Sequence, residues 1–152
     1  MQNKTDEAYD AFFKSAWNAA WQDAAYYNLA AIDCRRGHFE KALDLIDRSL
    51  VRNWHHHKAR QLKASILRHL GRKEEAAALI EESLKIDQFN MGCRYEQYLL
   101  TRDEKALKEM QHLMRGAAHP YIEYALDFAT AGLYDEAIEL LETYAATQNT
   151  VY

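Results

Sequence analysis

The chain has a single proline, Pro120, and only five glycines in 152 residues. That scarcity of turn residues argues against a turn-rich β architecture. Its two cysteines, Cys34 and Cys93, lie far apart with no C-x-x-C spacing. This excludes a disulfide framework and a zinc signature, and both read as free cysteines on helices. No apolar run approaches the ~18 residues of a membrane span. The N-terminal Met1-Gln2-Asn3-Lys4-Thr5-Asp6-Glu7 carries no signal-peptide hydrophobic region. Excess positive charge is also lacking: the net charge of −4 predicts no general attraction to nucleic acid or to an anionic membrane. There is no nucleophile motif, phosphate-cradling glycine loop or dinucleotide fingerprint, so no cofactor and no catalysis are expected.

What the chain does have is a period. Ala8, Ala42 and Ala76 recur at 34 residues, as do Ser15, Ser49 and Ser83, and Gly37 and Gly71. A fixed period of this length means stacked helix pairs, which commonly work by offering a surface to a partner. Ala106 follows Ala76 after 30 residues, and Ala137 follows Ala106 after 31. The array is therefore compressed in its second half.

Within residues 23–56, Tyr26, Leu29, Ala30 and Asp33 share one helical face, and three of the four suit burial. Arg35-Arg36-Gly37 is a helix stop with cations in the last turn. A second helix over 39–51 carries Phe39, Ala42, Leu43, Leu45, Ile46 and Leu50. Residues 57–90 repeat the plan, with Leu62, Ala64, Ile66 and Leu67 before Gly71 and Ala76, Leu79, Ile80, Ser83 and Leu84 after it. The unit over 91–117 is degenerate, with about four residues missing near Thr101-Arg102-Asp103. The unit over 118–149 recovers the pattern: Pro120 suits a first helical turn, Gly132 stops the helix, and Tyr134-Asp135-Glu136-Ala137 opens the next. Residues 6–21 read as a second-of-pair helix without its partner. The chain thus reads as a fragment of a longer array or as one with unusual caps.

These residues resemble the tetratricopeptide repeat (TPR) family. Tyr26, Leu29, Ala30, Gly37, Phe39 and Ala42 match its signature, as do Ala64, Gly71 and Ala76, and again Tyr121, Ala125, Gly132, Tyr134 and Ala137. The proline the family often places between repeats is replaced by Trp54 and Gln88, and Arg60 stands where the second repeat would have an aromatic. The stretch from Ala16-Trp17-Asn18 through Tyr26-Tyr27, continuing over Ala31-Ile32-Asp33-Cys34-Arg35-Arg36-Gly37, is also similar to TPR regions of large bacterial carbohydrate-related proteins. The resemblance implies an all-α superhelix, a TPR solenoid of about three and a half helix pairs or seven main helices.

In such a stack the first helix of each pair lines a concave groove. From His55 to Lys73 there are six Lys or Arg and no acid, whereas Glu74 to Asp87 is acidic. The groove is therefore expected to be basic in its middle, at Arg35, Lys58 and Arg68, with Tyr27, Gln61, His69 and Tyr95 beside them. That surface would suit an acidic peptide or anionic ligand; a merely solvated charged face is the competing reading. The family's carboxylate clamp is absent: its positions are taken by Tyr27, Ala31, Leu62, Gly92 and Glu96, or one repeat later by Gln61, Ser65, Glu96, His119 and Glu123.

Other clusters read as structural. Adjacent side chains on a helix diverge by about 100°, so His55-His56-His57 does not converge on a metal. Glu74-Glu75 and Asp135-Glu136 favour helix N-termini. Phe13, Trp17 and Trp21 form a stripe expected to pack between the first helix and the next. Tyr9, Phe12 and Phe13, on a helix without its neighbour, form a candidate homodimer patch.

The function expected is a protein-interaction or scaffold module binding a protein or peptide partner, not nucleic acid or membrane. The alternative is a structural spacer or oligomerisation segment of a larger carbohydrate-active bacterial protein. The compartment stays open between cytoplasm, which is favoured, and periplasm if a signal lies upstream.

Overall fold

The computed structural model describes residues 2–15 and 21–149; Trp17, one of the aromatics expected to stack, lies outside them. The described residues form nine α-helices and no strand. They are α1 (Gln2–Ser15), α2 (Gln22–Arg35), α3 (Phe39–Arg52), α4 (His57–His69), α5 (Lys73–Ile86), α6 (Met91–Thr101), α7 (Glu104–Met114), α8 (Ala118–Thr130) and α9 (Tyr134–Asn149). Seven helices, about three and a half pairs, were expected. The described residues hold two more, because all four units form a full pair, the compressed third with two helices of 11 residues each, and α1 precedes them. The fold is all-α, a TPR-like helical superhelix with one helix preceding four pairs.

The periodic small residues explain the pairing. Ala30, Ala42, Ala64 and Ala76 are all buried at the seams of α2–α3 and α4–α5. With only a methyl group there, the helix backbones approach closely enough for Leu29, Ile46, Ile66 and Leu67 to fill the space around them. Ser49 and Ser83 are buried too, and each hydroxyl donates to a carbonyl, Asp23 O at 2.8 Å and Leu79 O at 2.7 Å. Gly37, Gly71 and Gly132 close their helices at φ of 79°, 75° and 77°, the left-handed conformation glycine adopts without steric cost.

The two departures from the repeat pattern compensate each other. Arg60 Nε donates to Trp54 O at 2.5 Å, and Arg94 Nε donates to Gln88 O at 2.7 Å. Trp54 and Gln88 occupy the positions where the family often has proline, and Arg60 and Arg94 lie one repeat apart. Each buried guanidinium ties down the inter-repeat carbonyl, and its charge meets Glu82 or Glu109 at the rim.

In the third unit the turn glycine is missing. Arg102 takes the left-handed position at φ 56°, and only Arg102 and Asp103 connect α6 to α7. α6 is two residues shorter than α4, which has 13. The units that follow are re-aimed. Repeats in a regular solenoid touch only their neighbours, yet here α8 crosses the inner face of the array. Asp127 reaches Lys58 on α4 and Arg35 Nη1 on α2 donates to Thr130 O at 3.2 Å, both beyond the adjoining unit, where Phe128 packs edge-on against Tyr95 at 5.7 Å. A Cβ on Gly132 would lie 2.8 Å from the Arg35 Cα, so the α8–α9 turn rests directly on the end of α2.

At the other end, α1 packs on α2. Arg36 pairs with Asp6, and the Arg36 and Lys41 cations lie 5.6 and 4.9 Å from the Tyr9 ring centroid. Tyr9 and Phe12 are half-buried against the core, whereas Phe13 is 49% exposed. Trp21, expected to pack between α1 and α2, is instead 61% exposed and lines a crevice with Phe12, Ala24, Ala25 and Asn28.

Candidate functional site

The concave face is built by α2, α4 and α6, and α8–α9 covers it. Every groove residue expected from the sequence lies on these three helices: Gln61 and Tyr95 are buried, Tyr27 and Arg68 half-buried, and Arg35, Lys58 and His69 exposed but each with a partner. Arg35 is held by the α8 carbonyl just described. Lys58 Nζ lies 3.4 Å from Asp127 Oδ1. Tyr27 packs its ring 5.1 Å from that of His56, and burial, reinforced by Asp127, pushes its phenol well above the usual range. Gln61 is buried and donates to Ser65 Oγ at 2.8 Å. Its side chain also packs on the α6 backbone: a Cβ on Gly92 would lie 2.6 Å from Gln61 Cγ, so any larger residue there would have to displace Gln61.

Arg68 is the centre of the site. Its Nε donates to Glu96 Oε2 at 2.7 Å, and its Nη2 donates to Glu96 Oε1 at 3.1 Å and to Glu136 Oε2 at 2.9 Å. Glu96 is 1% exposed and also accepts from Ser65 Oγ. His69 Nε2 lies 2.6 Å from Glu136 Oε2, with its ring stacked on Phe39 at 4.9 Å. Burial would raise the Glu136 carboxyl, but hydrogen bonds from His69 and Arg68 outweigh it and hold the group at about 2. Tyr95 is buried, and its hydroxyl donates to Glu139 Oε2 at 3.0 Å. Arg102 Nη1 donates to the same carboxylate at 3.0 Å. Cys34 lies beside this cluster; burial, with Glu136 and Glu96 nearby, pushes its thiol up to about 12, so it carries no thiolate chemistry at neutral pH.

The cations expected to make the groove basic are largely paired within the chain. Of the six cations between His55 and Lys73, five are paired with acids from elsewhere in the chain. Lys58 meets Asp127, Arg60 meets Glu82, Lys63 meets Asp47, Arg68 meets Glu96 and Glu136, and Arg72 meets Glu75. Asp127, Glu96, Glu136, Glu139 and Arg102 are the site residues that sequence reasoning missed. Glu96 carried the one available signal, an acid beside Tyr95 on an otherwise apolar inward row. Glu136 read correctly as a first-turn acid, yet its carboxylate reaches across to α4 rather than serving only the helix end.

The histidine run does not converge. His55 packs against Trp54 with ring centroids 4.0 Å apart, His56 precedes α4 against Tyr27, and His57 begins α4. Burial lowers the His56 pKa, which favours its neutral form.

The class defined by this geometry is a TPR-like helical superhelix whose fourth helix pair contacts α2, α4 and α6 through the residues just named. Among solved structures, the chain is similar to the crystal structure of MamA, with a TM-score of 0.67 and 15% identity over 98% of this chain and 91% of that one. A second MamA crystal structure matches with a TM-score of 0.66 and 15% identity, over 97% of this chain and 85% of that one. At that identity the likeness concerns the fold. No protein-family model matches the chain, and no curated protein matches it in sequence.

Proposed function

We propose that this chain is a protein-interaction or scaffold module whose concave groove binds an acidic protein segment and performs no chemistry of its own. The observation that carries this reading is the set of carboxylates already seated there. Glu136 on Arg68 and His69, and Glu139 on Arg102 and Tyr95, support reading these donors as a row suited to acidic side chains. Charge-assisted hydrogen bonds of this kind are about twice as strong as neutral ones and fix the orientation of whatever supplies the acid.

The test is a set of three equal-length fluorescent helical peptides, Glu-rich, Gln-rich and Lys-rich, titrated by anisotropy. The Glu-rich peptide is expected to bind best, and Lys58→Glu or Arg35→Glu is expected to weaken it about fivefold or more at low salt. Equal binding of all three peptides, or indifference to charge reversal, would overturn the reading. A second copy of the chain is a further candidate partner, at Tyr9, Phe12 and Phe13 on α1. Light scattering that stays monomeric at high concentration would remove it.

A further inference from the structure

The α8–α9 hairpin occupies the groove as a ligand would. α9 presents Glu136 and Glu139, three residues apart and so on one helical face. Their cationic partners are Arg68 in the last turn of α4 and Arg102 just past the end of α6, 34 residues on in the sequence. Two neighbouring groove positions therefore each take one carboxylate from a single helix. The seam is not closely filled: crevices of about 300 and 270 Å³ flank Glu136, one toward Cys34 and Phe39, the other toward Leu99 and Arg102. The connection into α8 offers a pivot, because Arg115 and Gly116 both hold positive φ, 54° and 70°.

Resting on the groove reading above, we propose that the groove recognises partner helices bearing two carboxylates three residues apart, and that α8–α9 is a built-in competitor which such a partner displaces. The competitor sets the apparent affinity, since a site open only a fraction of the time binds more weakly by that fraction. Without it the groove would present Lys58, Arg102 and an Arg68 still paired with Glu96 to any acidic surface; with it, only a helix that matches the spacing regains the hydrogen bonds lost on opening.

The experiment uses the full chain and two fluorescent peptides. One copies Tyr134–Asn149; the other is the same peptide with E136Q and E139Q. The protein is tested as wild type and as the double variant Glu136→Gln/Glu139→Gln. Gly132→Ala opens the seam by a route that leaves the carboxylates intact, because its new Cβ meets Arg35, while Gly71→Ala pays the same backbone cost with nothing within 4 Å of its Cβ. Amide exchange over 118–149 is expected to quicken in the double variant and in Gly132→Ala but not in Gly71→Ala. The double variant is expected to bind the acidic peptide about tenfold more tightly than wild type, and the glutamine peptide about tenfold more weakly than the acidic one. Unchanged exchange in the double variant, or acidic-peptide binding to wild type with no rise in exchange, overturns the competitor and leaves the groove reading standing. Faster exchange with no preference for the acidic peptide overturns both.

Discussion

Gly71 and Gly132 occupy the same turn of the repeat, at φ of 75° and 77°. A Cβ on Gly71 would meet nothing within 4 Å, whereas one on Gly132 would strike the backbone of α2. The same contrast separates α4–α5 from α8–α9. Both pairs have a buried alanine seam, a three-residue turn and an acidic first turn in the second helix. α4–α5 is held by its immediate neighbours along the array. α8–α9 is held across the groove, largely by ion pairs and hydrogen bonds to α2, α4 and α6. Similar local construction thus gives two pairs held in different ways, and the difference lies in what each pair docks against.

The strongest way to break this comparison is to cut a large side chain from each region. Ile46→Ala in the regular half is expected to cost about 3 kcal/mol and to lower the urea midpoint for the whole chain. Phe128→Ala, which empties the contact on Tyr95, is expected to cost about 3–5 kcal/mol. Its effect is expected first as faster amide exchange over 118–149, with α2–α5 still protected. A uniform rise in exchange would mean that hairpin and array open as one unit.

Acid sharpens the same distinction. The Glu136 carboxyl is held at about 2 in the fold against 4.5 when unfolded. A depressed carboxylate contributes stability above its unfolded value and loses it as pH falls toward the folded one. The gap corresponds to about 3 kcal/mol, present at neutral pH and lost between pH 4.5 and pH 2. The hairpin is therefore expected to release over that range, read as amide exchange over 118–149, while α2–α5 persists longer. Asp127 runs the other way: burial raises it against the pull of Lys58, so its protonation as pH falls favours the fold.

The smallest expected effect is a gain. Asp33 is fully buried, both carboxylate oxygens lack a hydrogen-bond partner, and His38 Nδ1 stands 3.7 Å away. The equivalent residues one and three repeats on are Leu67 and Phe128, both buried. Asp33→Leu is expected to stabilise the regular half by about 1–2 kcal/mol in urea melts, because it removes a buried unsatisfied group without creating a cavity. A loss instead would show that Asp33 serves the fold in a way its surroundings do not display.

Much of the array was legible because its cause is local. A methyl group at Ala30, Ala42, Ala64 and Ala76 sets how closely helices approach, and a glycine at positions 37, 71 and 132 sets where each turns. Both act within a few residues, so spacing alone reports them. Asp33 was legible as the misfit on its face, and it is buried as a misfit. The candidate groove residues were found on the right helices, yet their state was not, because the partners of Arg68 lie 28 and 68 residues away in the chain. Nothing in the local pattern of Glu96 or Glu136 says which cation it will meet.

The 34-residue spacing determined by itself that this chain is a helical solenoid, where its turns fall, and that its third unit is compressed. The consequence of that compression was decided only in three dimensions. Shortening one helix pair by four residues changes the angle at which the next leaves, and a rigid hairpin carries that angle over its whole length. So a missing turn near Arg102 becomes contact between Gly132 and Arg35, and a groove that reads as open and basic is closed by its own carboxylates.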